Sequence, residues 1–279
     1  MNTKTKILIA ALLSRLVRTS RSWLKIKKTI FKRSNIFWSL DLAQGIDFAI
    51  YLQGGFEPST IRCYRSLVRQ GDVVIDVGAN IGAHTLPLAL IVGENGKVIA
   101  FEPTDFAFAK LQRNLELNPT LRSRVTSIQA MLVGDISHEK PSSIPSSWSL
   151  EKQSSSPMHP IHFGTYQSLL GASIITLDEW ATQNTLVRLD FVKIDVDGYE
   201  IDVVEGGTKT LSKHSPVIMM EFAPYLFEER GRSFSELLRI LERLRYKCQI
   251  VGGPEVSLTP TMLRYIPDGG SINVILRQK

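Results

Sequence analysis

"DVVIDVGANIGAHT" (residues 72–85) sets an acid, a glycine, an asparagine and a second glycine directly after a short apolar run. Val73–Val77 is apolar on both sides of Asp76, the pattern of a strand covered on both faces. Gly78 and Gly82 let the backbone turn sharply, and Asn80 is one of the few non-glycine residues that tolerates a left-handed conformation. The stretch Ala83–Val92 reads as a helix whose free N–H groups face back toward the turn. Strand, turn and helix in this order hold a small polar ligand beyond the carboxyl end of a sheet.

Outward from this turn the chain alternates helices with short apolar strands, an α/β signature. A helix over 58–70 precedes the first strand, and 97–102, 124–133, 190–196, 216–222, 246–251 and 272–277 supply six more, seven in all. Helices are expected at 104–118, 177–185, 199–214 and 233–245. The last carries Leu237, Ile240, Leu241 and Leu244 as an apolar stripe for the core. Residues 135–173 break the pattern: "KPSSIPSSWSLEKQSSSPMHP" is rich in Ser and Pro, with no sustained period. Such a segment is either a lid or substrate loop or a plain insertion, and Trp148, Met158, His159, His162, Phe163 and Tyr166 are its contact points.

The 279 residues, 43% of them hydrophobic, suffice for one substantial core. Cys63 and Cys248 stand apart without partners at metal-ligand spacing, so neither a disulfide framework nor a zinc site is expected, and a reducing, cytoplasmic setting fits. Charge is divided unevenly. Residues 1–33 hold ten of the 33 Lys and Arg and no acid, which leaves 23 basic residues against 27 acidic ones in the rest. A nucleic-acid surface would spread its basic residues over the fold, so nucleic acid is not the expected partner. The apolar run 7–13 is too short to span a bilayer, and Arg15, Arg18 and Arg21 follow it. Residues 1–40 therefore read as a basic helical extension, packed on the domain or lying peripherally on an anionic membrane surface, with the main domain at 41–279.

The turn also discriminates between ligands. The dinucleotide fingerprint G-x-G-x-x-G uses its second glycine to approach a pyrophosphate, but here that position is Asn80 and the motif ends Gly82-Ala83. Asp76 would repel a pyrophosphate and welcome an ammonium. Glu102, closing the second strand in "VIAFEP", is placed to accept hydrogen bonds from a ribose diol. S-adenosylmethionine carries an ammonium and a ribose and no phosphate, so the charges favour it over a nicotinamide cofactor.

The stretches "GGFEPSTIRCYRSLVRQGDVVIDVGANIGAHTLPLA", "VIAFEP", "IITLDEW", "FVKIDVDGYEIDVVEGG" and "PVIMMEF" occur in that order between residues 54 and 222. They resemble the FkbM-type family of S-adenosylmethionine-dependent methyltransferases. The resemblance implies a class I methyltransferase fold, a Rossmann-like three-layer sandwich of seven mostly parallel strands with the last antiparallel. It also implies methylation of hydroxyl groups on sugars, lipids or secondary metabolites. By position, Asp76, Gly78, Asn80, Gly82 and Glu102 would line the cofactor, with Ala130 near the adenine. Asp197 stands where family members usually have Glu, and the 135–173 insertion has no counterpart in the matched stretches.

Methyl transfer to a hydroxyl requires alignment and a group that takes the proton. "KIDVDGYE" and "MMEF" bring carboxylates to neighbouring strand ends, so Asp195 is expected in contact with the reacting groups and Glu221 as the acceptor-orienting group or base. The plainer reading of each is a strand-end acid. His84 reads first as a packing or surface histidine, and His162 as a loop histidine that is the best imidazole base if one is used. Asp195 and Glu221 lack a third ligand, so no metal is expected. Two rival functions are a nicotinamide-dependent oxidoreductase, disfavoured by Asn80 and Asp76, and a non-catalytic membrane-associated binding protein on the same fold. A base-methylating enzyme is disfavoured by "DVDG" at the end of the fourth strand.

Overall fold

The computed structural model describes residues 3–23, 29–137, 140–146, 149–150 and 164–278. The amino-terminal part comprises helix α1 (Thr3–Trp23), a hairpin of β1 (Ile30–Arg33) and β2 (Ile36–Ser39), and helices α2 (Gly45–Gln53) and α3 (Pro58–Arg65). Then come β3 (Val73–Val77), α4 (Thr85–Val92), β4 (Lys97–Phe101), α5 (Asp105–Glu116), α6 (Pro119–Arg122), β5 (Val125–Ile128) and β6 (Ala130–Leu132). The insertion contributes β7 (Ser143–Pro145) and β8 (Tyr166–Ser168), followed by β9 (Ser173–Ile175) and α7 (Leu177–Gln183). The last third runs through β10 (Phe191–Ile194), α8 (Glu200–Glu205), α9 (Thr208–His214), β11 (Val217–Phe222), α10 (Pro224–Glu229) and α11 (Phe234–Arg243). It ends with β12 (Tyr246–Ile250), β13 (Glu255–Val256), a 3-10 turn (Pro260–Tyr265) and β14 (Ile272–Gln278).

The main sheet has the order β13-β12-β14-β11-β10-β3-β4-β5. β5, β4, β3, β10 and β11 are parallel, and β14 runs antiparallel to both β11 and β12. The antiparallel last strand is as expected. The count is eight rather than seven, because Glu255–Val256 folds back on β12 as an added edge.

Alternation along the central strands divides the core into two layers. Ile75, Val77, Ile99, Phe101, Val192 and Ile194 pack with Trp180, Ile201, Leu237 and Leu241 of α7, α8 and α11. Val74, Val98, Ala100 and Phe191 face the other way, toward Phe48, Leu86, Leu88 and Leu111 of α2, α4 and α5. Leu237 and Leu241 are fully buried, and each such side chain contributes about 1.5–3 kcal/mol of transfer free energy. α11 starts where it does because Ser233 and Glu236 form a reciprocal capping box, and Thr176 with Glu179 does the same for α7.

Three expectations about elements need correcting. The strand expected over 124–133 is two strands. Its ladder with β4 closes where Glu102 N–H donates to Ile128 C=O at 3.1 Å, and after Gln129 the chain pairs β6 in parallel with β9 instead. The helix expected over 199–214 breaks at Gly206-Gly207, where the backbone packs against Val133 and Leu177. Residues 30–39, read as part of a helical extension, form a hairpin that buries Phe31, Ile36 and Trp38 in the same core as α4 and α5. The amides of two side chains take up the open edge of β2: Ser39 N–H donates to Asn114 Oδ1 (2.8 Å) and Phe37 N–H to Asn118 Oδ1 (2.9 Å).

The described part of the insertion is built into the domain. β7 and β8 pair antiparallel, Leu150 N–H donates to Ala43 C=O at 2.7 Å, and Ser149 bridges to Gln44. Trp148, Met158, His159, His162 and Phe163 lie outside the described residues, while Tyr166 is exposed on β8.

Candidate active site

At the carboxyl ends of β3, β4 and β10 two cavities meet, and Gly78, Asn80, Ser146, Asp195 and Asp197 line both. Gly78 has φ +79°, and a Cβ built there would lie 1.9 Å from the Asp195 carbonyl oxygen. Only glycine permits β3 and β10 to converge this closely. Its N–H and that of Ala79 donate to Phe101 C=O at 3.0 and 2.9 Å, which ties the turn to β4. Asn80 adopts the left-handed conformation expected of it, φ +48°. Gly82 lines neither cavity. It allows the turn to pack on α4, since a Cβ would lie 2.4 Å from Leu86 Cδ1.

The first cavity is walled by Phe101, Ala130, Met131, Leu132 and Ile144, with Glu102 on its rim. Glu102 is held rigidly: Asn80 N–H donates to Oε2 at 2.8 Å, and Thr104 N–H and Oγ1 donate to Oε1 at 2.9 and 2.5 Å. Burial raises its pKa, and these hydrogen bonds oppose the rise. Three of a carboxylate's roughly four acceptor positions are therefore used, leaving one where the sequence reading wanted two. Ala130 is buried in β6 and lines this cavity. The switch of β6 away from the main sheet brings it there.

The second cavity is polar at its base and is lined by Ile46, Phe56, His84, Lys193, Asp195 and Asp197. Lys193, only 3% exposed, lies 3.0 Å from Asp195 Oδ2 and 3.9 Å from Asp76 Oδ1. Burial opposes its charge, but Asp195 and Asp76 outweigh burial and hold it above the ordinary lysine pKa. His84 is buried with its ring edge-on to Tyr64, and the Tyr64 hydroxyl is 3.4 Å from Nδ1. Its Nε2 has no hydrogen-bond partner. Burial, reinforced by Lys193, lowers its pKa well below the usual value, so the imidazole is neutral. Asp197, in a left-handed turn at φ +49°, is raised well above the carboxylate range by burial and then by Asp195.

Besides Gly82, two expected site residues are placed outside the cavities. Asp76 lies beneath the turn and lines neither cavity. It is fully buried, its Oδ2 accepts from Thr85 Oγ1 at 2.6 Å, and Lys193 is its register partner on β10. Its Oδ1 has Lys193 Nζ at 3.9 Å and no hydrogen-bond partner. Glu221 accepts a hydrogen bond from the Ser271 hydroxyl and also lines neither cavity. Burial, then the neighbouring Asp195, raises its pKa well above the usual range. Asp195 alone of the expected catalytic pair reaches the cavities. His84 and Lys193 reach them too; an apolar strand carrying a single lysine two residues before Asp195 was the available signal for the second. Among the described residues no group of three or more His, Cys, Asp or Glu side chains is arranged to hold a metal ion.

The order β5-β4-β3-β10-β11-β14-β12, with β14 reversed and a glycine turn after the first strand of the domain, defines a class I methyltransferase fold. Residues 76–248 match the methyltransferase FkbM domain, and the chain belongs to that family. It is 30% identical over 167 residues to the hexuronic acid methyltransferase AglP of Haloferax volcanii, covering 58% of this chain and 61% of that protein. It is 24% identical over 209 residues to the 2-O-methyltransferase NoeI of Sinorhizobium fredii, covering 71% and 84%. A solved FkbM methyltransferase from Methylobacillus flagellatus superposes with a TM-score of 0.44 at 18% identity, over 78% of this chain and 47% of the other.

Proposed function

We propose that this protein is an S-adenosylmethionine-dependent methyltransferase that methylates a hydroxyl on a sugar or glycan. The observation that carries this reading is the meeting of two cavities at Gly78, one walled by Phe101, Ala130, Met131, Leu132 and Ile144 beside the fixed Glu102 carboxylate, the other holding the buried Lys193 paired with the half-buried Asp195. The carboxylates of Glu102 and Asp195 at the junction suit a cationic ligand and disfavour a pyrophosphate. This disfavours a nicotinamide cofactor. The names of the two relatives, one acting on a hexuronic acid and one at a 2-O position, support a sugar hydroxyl as acceptor.

When bound, S-adenosylmethionine supplies a methyl group on a positively charged sulfur. The chain's part is to hold the donor, align the acceptor and take its proton. Glu102 accepts one hydrogen bond from a ribose hydroxyl, and Ala130, Met131, Leu132 and Ile144 cover a flat base. In the second cavity Asp195 accepts the acceptor's O–H, with Lys193 fixing the carboxylate. His84 stands beside it; when its Nδ1–H donates to Tyr64, Nε2 presents a lone pair to the same hydroxyl. Aligning the reactants contributes about 7–11 kcal/mol in favourable cases, and a positioned base a further factor of about 100 or more.

Calorimetry with S-adenosylmethionine and, separately, with NAD tests the donor: binding of NAD with no response to S-adenosylmethionine would overturn the reading. A methyl-transfer assay over a panel of sugars, glycolipids and small-molecule hydroxyls then identifies the acceptor. With that acceptor, Asp195→Asn lowers kcat by about 100-fold and His84→Gln by about tenfold, donor affinity being unchanged. Full turnover in both variants would remove the second cavity from the chemistry.

A further inference from the structure

α1 has two faces of different use. Its inner face packs on the domain: Ser14 Oγ donates to Leu42 C=O at 2.5 Å, and Ala10 and Val17 join the core cluster that contains Ile46 and Phe48. Its outer face carries Ile9, Leu12, Leu13, Leu16 and Trp23, spaced to fall on one side of a helix. Leu12, Leu16 and Trp23 are 61%, 59% and 84% exposed. An exposed apolar stripe of this length is unusual on a helix already docked by its other side. The surrounding sequence is wholly basic, with ten Lys and Arg and no acid in residues 1–33. No helix among the described residues is long and apolar enough to cross a membrane.

We propose that the outer face of α1 lies in the interface of an anionic lipid bilayer, with Leu12, Leu16 and Trp23 entering the acyl boundary and the basic residues meeting the headgroups. The charge of the segment selects this occupant: a second copy of the same face would set two acid-free basic segments against each other, whereas a negatively charged leaflet complements them. The docking also bears on the site. α1 packs on α2, and Ile46 in the first turn of α2 lines the second cavity, so one helix contact joins the lipid-facing helix to the wall of that cavity. On the methyl-transfer reading above, on which this last step alone rests, the acceptor hydroxyl belongs to a membrane-borne glycan.

The test is flotation of the full chain with vesicles of phosphatidylcholine alone and of phosphatidylcholine mixed with phosphatidylglycerol. The expected result is binding to the mixed vesicles at least about tenfold stronger than to the neutral ones, weakening as salt rises. The double variant Leu12→Glu/Leu16→Glu, whose side chains make no core contact, should lose vesicle binding while keeping its thermal unfolding and donor binding. Arg15→Glu, which reverses an exposed charge on α1, should weaken the preference for anionic lipid. Absence of wild-type binding to mixed vesicles overturns the proposal, as does unchanged binding by the leucine double variant. A wild-type dimer that the leucine variant dissociates, with no vesicle binding by either, assigns the stripe to self-association instead. None of these readouts depends on turnover, so failure of docking and failure of the methyltransferase reading are separately visible.

Discussion

The two cavities that meet at Gly78 share five lining residues and differ in nearly everything else. The first takes its walls from strand ends and from β6, with one carboxylate whose hydrogen bonds are nearly complete. The second takes its walls from α2 and the α2–α3 connection, through Ile46 and Phe56, and from the buried Lys193 and His84, the latter with Nε2 lacking a hydrogen-bond partner. Ile46 and Phe56 precede the stretch that matches the family domain. Apart from Ile144 and Ser146 of the insertion, the first cavity is lined from the turns and strand ends of the matched stretch, whereas the second is completed by Ile46 and Phe56, which lie ahead of it. A rigid, backbone-defined pocket suits a constant ligand, and a cavity finished by side chains from added elements suits one that varies between relatives.

The largest test of this contrast is at the junction. Gly78→Ala places a methyl group against the Asp195 carbonyl oxygen and adds a left-handed backbone penalty, so a loss of more than about 3 kcal/mol or failure to fold is expected in thermal unfolding. A folded variant of wild-type stability would mean that β3 and β10 separate more readily than their spacing indicates. On the donor side alone, Glu102→Ala should weaken S-adenosylmethionine binding by about 10–100-fold in calorimetry, the value of one hydrogen bond to a charged group. Acceptor KM should be unchanged, and an equal effect on both ligands would erase the division between the cavities.

A pH-dependent effect comes from Glu200, buried with Oε1 accepting from Val196 N–H at 3.0 Å and Oε2 without a hydrogen-bond partner. Burial pushes its pKa up to about 7 from an ordinary value of 4.5. The folded protein therefore binds this proton more tightly than the unfolded chain. The resulting stabilisation is complete below about pH 4.5 and is lost as pH rises through about 7. Glu200→Gln removes the titration, so its stability relative to wild type should increase between pH 5 and pH 8, by up to about 3 kcal/mol in denaturant unfolding. A pH-independent difference would show that the carboxyl titrates normally.

Much of the donor side was legible in the chain. Glycine at 78, asparagine at 80, the acid at 102 and a small residue at 130 are local choices that follow from turn geometry and hydrogen-bond chemistry, and the fold places Gly78, Asn80, Glu102 and Ala130 around one cavity. The acceptor side was legible only in part. Asp195 was expected there and lines both cavities, but Glu221 is drawn to Ser271, just ahead of β14, and His84, read as a packing or surface residue, has an open ring nitrogen.

Asp76 shows why. Period-two alternation assigns it to the same sheet face as the residues beneath α4, and local sequence says nothing of Lys193, which becomes its neighbour only when β10 pairs beside β3. A carboxylate's partner is chosen by strand register between distant segments, and a buried cation captures an acid that would otherwise face a ligand. Local pattern thus sufficed for the class of fold, the turn and the kind of donor, because backbone conformation and burial act over a few residues. Which charges were left free to meet an acceptor awaited the sheet order, because electrostatic pairing in a low-dielectric core is settled by proximity in space.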